Sequence, residues 1–241
     1  MHNWIVAVLI ILGISACNTH HTLQKKSQWP SREKVTMAQI VALEKPKTPK
    51  ARQQQDRFIK TNIKRFKSRH KAGAYYVANA KRTFNEHKLD SAHYLFGRAW
   101  LIDSTNKDIY WGYGLVYGEQ KQYDKALFVL YKALEQDKQN PRLLTDIATS
   151  HLGRFYVDSN PKDLLQSKKL LEKAVKLSPD RADAYYKLAI SNYYLRDYSK
   201  AWEYLHKSLK QDQQAADRTF IAALLQKQQD PLGVYDRKSV R

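Results

Sequence analysis

The amino-acid sequence predicts an all-α solenoid of stacked helical hairpins, and three observations carry that expectation. Small residues recur at Ala92, Ala126, Ser167 and Ala201, in steps of 34, 41 and 34 residues (126 − 92, 167 − 126, 201 − 167). A large apolar register (Phe96, Leu130, Leu171, Leu205) and a second small one (Ala99, Ala133, Ala174, Ser208) advance by the same intervals. Within each copy, apolar residues keep the three-and-four spacing of a helix face, and a polar turn separates two such runs. One hairpin of this kind cannot bury its apolar face alone, so the copies must stack.

In chain order, Trp4 to Ile14 is a continuous apolar run followed by Ser15-Ala16-Cys17. A bilayer core needs about 20 apolar residues in a helix, so this shorter run is read as the core of a signal peptide covering 1–16. Small residues just before a lone cysteine resemble the bacterial lipobox. The resemblance implies cleavage before Cys17, acylation of Cys17 (palmitate included) and an N-terminal lipid anchor. Asn18 is similar to the residue that accompanies outer-membrane sorting. The alternative is an ordinary signal peptide or an uncleaved anchor with a free thiol. Cys17 is the only cysteine, so the chain has no internal disulfide framework. His20 and His21 follow it without a second ligand pair at zinc spacing, and a polar tether is expected there with no metal site.

Residues 22–71 hold fifteen Lys and Arg against three acids, a net +12 of the whole chain's +19. Pro30, Pro46 and Pro49 interrupt helix, so 17–50 reads as a basic tether. Met37, Ile40, Val41 and Leu43 leave room in it for one short helix. From 51 to 72 a basic amphipathic helix is expected. Phe58, Ile59, Ile63 and Phe66 share one face, and Lys60, Lys64, Arg65, Lys67 and Arg69 surround it. This helix either covers the open end of the first repeat or meets an anionic surface, and the two roles are compatible.

The repeats follow at 73–106, 107–140, 141–181 and 182–215. The second is the most regular: Tyr110, Tyr113, Gly114 and Tyr117 stripe its first helix, and Gly114 and Ala126 are small enough for close backbone approach. The third carries seven extra residues (41 − 34), placed by the turn-rich stretch Val157 to Lys162 at the bend between its helices. A capping helix is expected over 216–228, with Phe220, Ile221, Leu224 and Leu225 on one stripe, and then a mobile basic tail, 229–241.

At these positions the chain resembles the tetratricopeptide repeat family, whose period is 34 with small residues at the first and third registers. Gly114 and Ala189, Tyr123 and Tyr198, and Pro179 fit its pattern, while Asn79, Thr83 and Asn192 depart from it. The resemblance implies a right-handed α-solenoid whose ligands lie in the groove lined by the first helix of each pair. Carried over residue by residue, that face comprises Val77, Lys81 and Phe84, then Trp111 and Leu115. It continues with Arg142, Thr145 and Thr149, and ends with Tyr186, Ile190, Tyr193 and Tyr194. Aromatic side chains there would anchor an extended peptide or a helix at low entropic cost. Val77, Trp111 and Thr145 stand where the family's chaperone-tail binders need long polar groups, which disfavours that ligand.

No catalytic motif is present: HExxH, CxxC, GxSxG and the P-loop are all missing, and Gly112, Gly114 and Gly118 fall on a helix. His70, His87, His93, His151 and His206 are scattered over different repeats, with no acidic partner at a fixed spacing. The expectation is a non-enzymatic scaffold without cofactors, anchored to the bacterial outer membrane and facing the periplasm. Lipoproteins similar to this assist assembly of pilus secretins or outer-membrane insertion machinery. A periplasmic or secreted form is the alternative location. The alternative function is binding of an anionic membrane surface or polymer through the basic N-terminal segment, with a homo-oligomer built on the repeats. Nucleic acid is not the expected partner of an exported chain.

Overall fold

The computed structural model of the chain describes residues 34–41 and 46–236. Cys17, the apolar run before it, Leu43 and the chain beyond Asp236 lie outside the described residues. Among those described, eleven helices follow one another and no strand occurs. They are α1 (Met37–Val41), α2 (Pro49–Phe66), α3 (Arg69–Asn85), α4 (Leu89–Ile102), α5 (Lys107–Glu119), α6 (Tyr123–Gln136), α7 (Pro141–Asp158), α8 (Pro161–Leu177), α9 (Ala182–Tyr194), α10 (Tyr198–Gln211) and α11 (Arg218–Lys227). Successive helices pair as α3–α4, α5–α6, α7–α8 and α9–α10. The first helices also touch each other in the order α3, α5, α7, α9, which makes one continuous inner face. This is the all-α solenoid of hairpins that the periodicity predicts.

The three registers are the reason the hairpins stack. Ala92, Ala126, Ser167 and Ala201 are all wholly buried, and Phe96, Leu130, Leu171 and Leu205 are no more than 1% exposed. Ala99, Ala133, Ala174 and Ser208 close the third row, also buried. Small residues thus admit the neighbouring backbone while one large side chain per hairpin fills the space it leaves. Each hairpin turns through a non-glycine residue in the left-handed region: His87 (φ 58°), Lys121 (58°), Ser159 (53°) and Arg196 (63°). Asn106 and Asn140, one period apart, cap α5 and α7 by accepting the backbone N–H of Asp108 and of Arg142 and Leu143 respectively. A cap of this kind is worth about 1 kcal/mol.

Several expectations are corrected. The basic segment does not run as one helix to residue 72: α2 ends at Phe66, Lys67 takes a left-handed conformation (φ 59°), and Ser68 caps a new helix. Arg69 therefore belongs to the first turn of α3 and donates to the Ile102 carbonyl at 2.5 Å, instead of lying on the basic helix. The seven extra residues of the third repeat do not lengthen its bend. They lengthen its helices, with 18 residues in α7 against 13 in α5 and α9, and 17 in α8 against 14 in α6 and α10. Only Ser159 and Asn160 remain between them, so this hairpin projects beyond its neighbours.

Both ends of the array are covered by flanking chain. At the N-terminal side Ile40 and Val41 of α1 are buried, and the Tyr117 hydroxyl donates to the Ile40 carbonyl at 2.6 Å. At the other end α11 seals a second apolar cluster around Trp202 and Leu205. The tail does not leave directly after α11. Asp230 is buried and accepts the backbone N–H groups of Leu232, Val234 and Tyr235 as well as facing His206 Nε2 at 2.8 Å. Tyr235 then stacks over Trp202, so the described part of the tail is packed against α10.

Candidate functional site

The inner face is laced from one hairpin to the next by polar contacts. Lys81 of α3 donates to Asp108 of α5 at 2.7 Å. Trp111 of α5 donates its indole N–H to Asp146 Oδ2 of α7 at 2.7 Å, and the Arg142 guanidinium lies over the same indole at 5.8 Å. These contacts cross repeats by 27 and 35 residues and hold the first helices in register.

Beyond Trp111 the face opens into a cavity of about 450 Å³ between α5, α7 and α9. Leu115, Thr149, Tyr186 and Ile190 line it, as the sequence predicts of groove residues. It is also bounded by Tyr123, expected only as a repeat-pattern residue, and by Asp146, Lys187 and Tyr156, which the sequence did not single out. Tyr156 reaches the rim because α7 is long. Gly118 sits in the wall with open space before it: a Cβ there would meet only Ser150 Oγ, at 3.9 Å.

Other predicted groove residues are placed differently. Thr145 is 1% exposed and its hydroxyl donates to the Pro141 carbonyl, the bond a helical threonine makes to the residue four back, so it offers nothing to a ligand. Val77 is buried in the core, and Phe84 packs against it from its edge. Tyr193 is engaged by Phe220 (5.6 Å) and Tyr198 (5.8 Å), and Tyr186 also leans on Phe220 (5.5 Å), so α11 claims part of the aromatic surface. Tyr194 is partly exposed and lies against Phe155 and Tyr156 at the projecting end of the third hairpin.

Asp146 is the chemically distinctive member. It is half-buried, and that burial pushes its carboxyl above the ordinary carboxylate range. The Trp111 N–H and the charges of Lys187, Arg142 and Arg181 oppose the shift without cancelling it. A carboxyl raised in the folded state loses free energy by ionising there, so at neutral pH it subtracts from stability, and the deficit fades as pH falls through the raised value. Asp146→Asn keeps an acceptor for Trp111 and is therefore expected to melt at or above the wild-type temperature at pH 7, with the difference shrinking in acid. Thermal denaturation at two pH values checks this; a lowered melting temperature at pH 7 would show that the charge is structural. A charge held at a cost in a cavity wall is a feature of binding sites.

Three of the scattered histidines do meet a carboxylate: His70 faces Asp103, His151 faces Asp163 and His206 faces Asp230, at sequence separations of 33, 12 and 24. His151 and Asp163 are buried between α7 and α8, away from the cavity. Among the described residues no group of three His, Cys, Asp or Glu is placed to hold a metal ion. Likewise, among the described residues no helix is long and apolar enough to cross a membrane.

Comparison with known proteins agrees with this architecture. Residues 108–140 match the model of the tetratricopeptide repeat. The fold is similar to that of TTC0263, a thermophilic TPR protein of Thermus thermophilus, with a TM-score of 0.58 at 14% identity over 65% of this chain and 84% of that one. It is also similar to PilF of Pseudomonas aeruginosa, with a TM-score of 0.56 at 20% identity over 68% and 72% of the two chains. A third likeness is to MamA, with a TM-score of 0.55 at 18% identity over 70% and 89%. The search of curated proteins found no match. At these identities the likeness is one of fold: residues 108–140 match the tetratricopeptide repeat, and the described chain shares the helical-hairpin solenoid fold of these structures.

Proposed function

We propose that this chain is a non-enzymatic scaffold that holds an extended or helical segment of another protein in the cavity between α5, α7 and α9. The observation that carries the reading is the open wall at Gly118 beside the costly Asp146 charge. An apolar rim (Leu115, Ile190, Tyr186) would take a partner's apolar side chain, and Asp146 would accept a hydrogen bond from its N–H groups. The finer setting rests on the sequence: acylation at Cys17, an outer-membrane anchor, exposure to the periplasm and a part in assembling an envelope complex of the pilus-secretin or outer-membrane insertion kind.

Gly118→Leu separates binding from folding. Its added side chain enters open space, and exchanging a helical glycine for leucine removes a propensity penalty of roughly 0.5–1 kcal/mol. The variant is expected to melt no lower than wild type and yet to lose at least tenfold in affinity for the partner captured by the full-length anchored protein. Trp111→Ala, which removes a half-buried anchor, is expected to lose about 2 kcal/mol of binding, roughly thirtyfold. Undiminished capture by both variants would place the partner elsewhere and overturn this reading.

A further inference from the structure

We propose that the solvent-facing ridge of α2 is a docking surface for anionic lipid headgroups. Arg57, Lys60 and Lys64 follow at steps of three and four, so they form one line along the helix, and Lys67, its C-cap residue, lies just past the end. All four are exposed, while Asn62 and the apolar side chains of α2 lie on the opposite side toward α3. Asp56, the only acid in α2, lies one turn before Lys60 on the adjoining part of the same exposed side. Some exposed lysines of the repeats are neutralised: Lys81 pairs with Asp108, Lys107 with Asp137 and Lys207 with Glu203. Among the described residues, none of the four ridge cations meets a carboxylate.

Unpaired like charges in a straight row repel one another, and an anion array relieves that cost. The row from Arg57 to Lys64 is about 10 Å long and nearly straight, so a planar headgroup layer touches all of it at once. At the C-terminal end of α2 the Phe66 and Tyr75 rings meet at 4.8 Å, tilted by 31°, with Arg65 over both, and Tyr75 is 42% exposed. An amphipathic ring beside cations suits the boundary between headgroups and acyl chains. The sequence before α2 carries the apolar run Trp4 to Ile14. The cavity of the repeats is untouched by this contact, so the surface stands whether or not the groove binds a partner.

The test measures full-length protein binding to phosphatidylcholine vesicles with and without 30% phosphatidylglycerol, the neutral vesicle accounting for the apolar segment. The wild type is expected to prefer the anionic vesicle. The triple substitution Arg57→Gln, Lys60→Gln, Lys64→Gln is expected to reduce that preference about a hundredfold at low salt, since each cation near such a surface contributes about fivefold. Lys138→Gln, Lys162→Gln, Lys210→Gln, three exposed lysines spread over different hairpins, should leave it nearly unchanged. Equal losses in the two triple variants would mean that net charge alone attracts the chain, and the ridge assignment would fail. It would fail too if the wild type showed no anionic preference. Tighter ridge-dependent binding to a DNA duplex than to anionic vesicles would make the ridge a nucleic-acid surface instead and overturn the lipid assignment.

Discussion

Gly114→Leu is expected to lower the unfolding free energy by about 3 kcal/mol, the upper end of what overpacking usually costs. A Cβ at Gly114 would lie 2.4 Å from both Cγ and Cδ2 of Leu130. Leu130 is 1% exposed and sits in the main core, so it cannot yield without displacing its own neighbours. The rest of the new side chain must then part α5 from α6. Because each hairpin of a solenoid is stabilised by its neighbours, damage at this inner repeat also weakens both adjoining interfaces. Lys121→Ala is the control. Its left-handed backbone (φ 58°) is strained for either residue and its side chain is exposed, so stability should change by less than about 0.5 kcal/mol. Urea denaturation followed by circular dichroism compares the two; equal midpoints would show that α5 and α6 do not meet at Gly114.

What the sequence made legible was whatever repeats. Ala126 and Leu130 could be placed because Ala92, Ala201, Phe96 and Leu205 say the same thing at the same interval. Gly114 was read as a point of close approach, and the approach is real, although the group it admits is the Leu130 side chain. The register also assigned the inner face, which is why Leu115, Thr149, Tyr186 and Ile190 fall together in one cavity. It could not say how deep on that face each residue sits. Thr145 is one turn from Thr149, yet it satisfies its hydroxyl within the helix and is buried.

Contacts that occur once had no signal to follow. Tyr193 turns to Phe220 because the capping helix comes back across the last repeat, a tertiary event with no periodic counterpart. Asp146 lies in an ordinary helical position, and only its pairing with Trp111, 35 residues earlier, marks it. The added residues of the third repeat could be counted but not located. Pro161 and the Asn160 cap favour starting α8 early, and their helix-initiating meaning outweighed the turn character of the same stretch.

Asp163→Ala is expected to cost about 3–5 kcal/mol, because it strips a partner from the largely buried Arg154 guanidinium and from His151. Asp163 is 2% exposed and receives Arg154 in a two-point contact, Nε to Oδ2 at 3.0 Å and Nη2 to Oδ1 at 2.5 Å. The same guanidinium reaches Asp124 of α6 at 2.6 Å, and His151 Nδ1 lies 2.6 Å from Asp163 Oδ1. With the carboxylate as acceptor, His151 donates from Nδ1, and its Nε2 meets the Tyr131 hydroxyl at 2.8 Å. One carboxylate thus ties α6, α7 and α8 together where the long third hairpin begins to project. Burial alone would raise the Asp163 carboxyl, but the hydrogen bonds and charges of Arg154 and His151 outweigh it and hold the group below the ordinary carboxylate range. Its folded pKa is depressed, so its contribution is fully present above the unfolded carboxylate pKa and is lost as pH falls through the folded value. The gap in stability between wild type and Asp163→Asn should therefore be constant near neutrality and close progressively below about pH 4. Chemical denaturation across that range reads it directly. A gap that persists unchanged at pH 2 would mean that the loss reflects altered packing and not the ion pair.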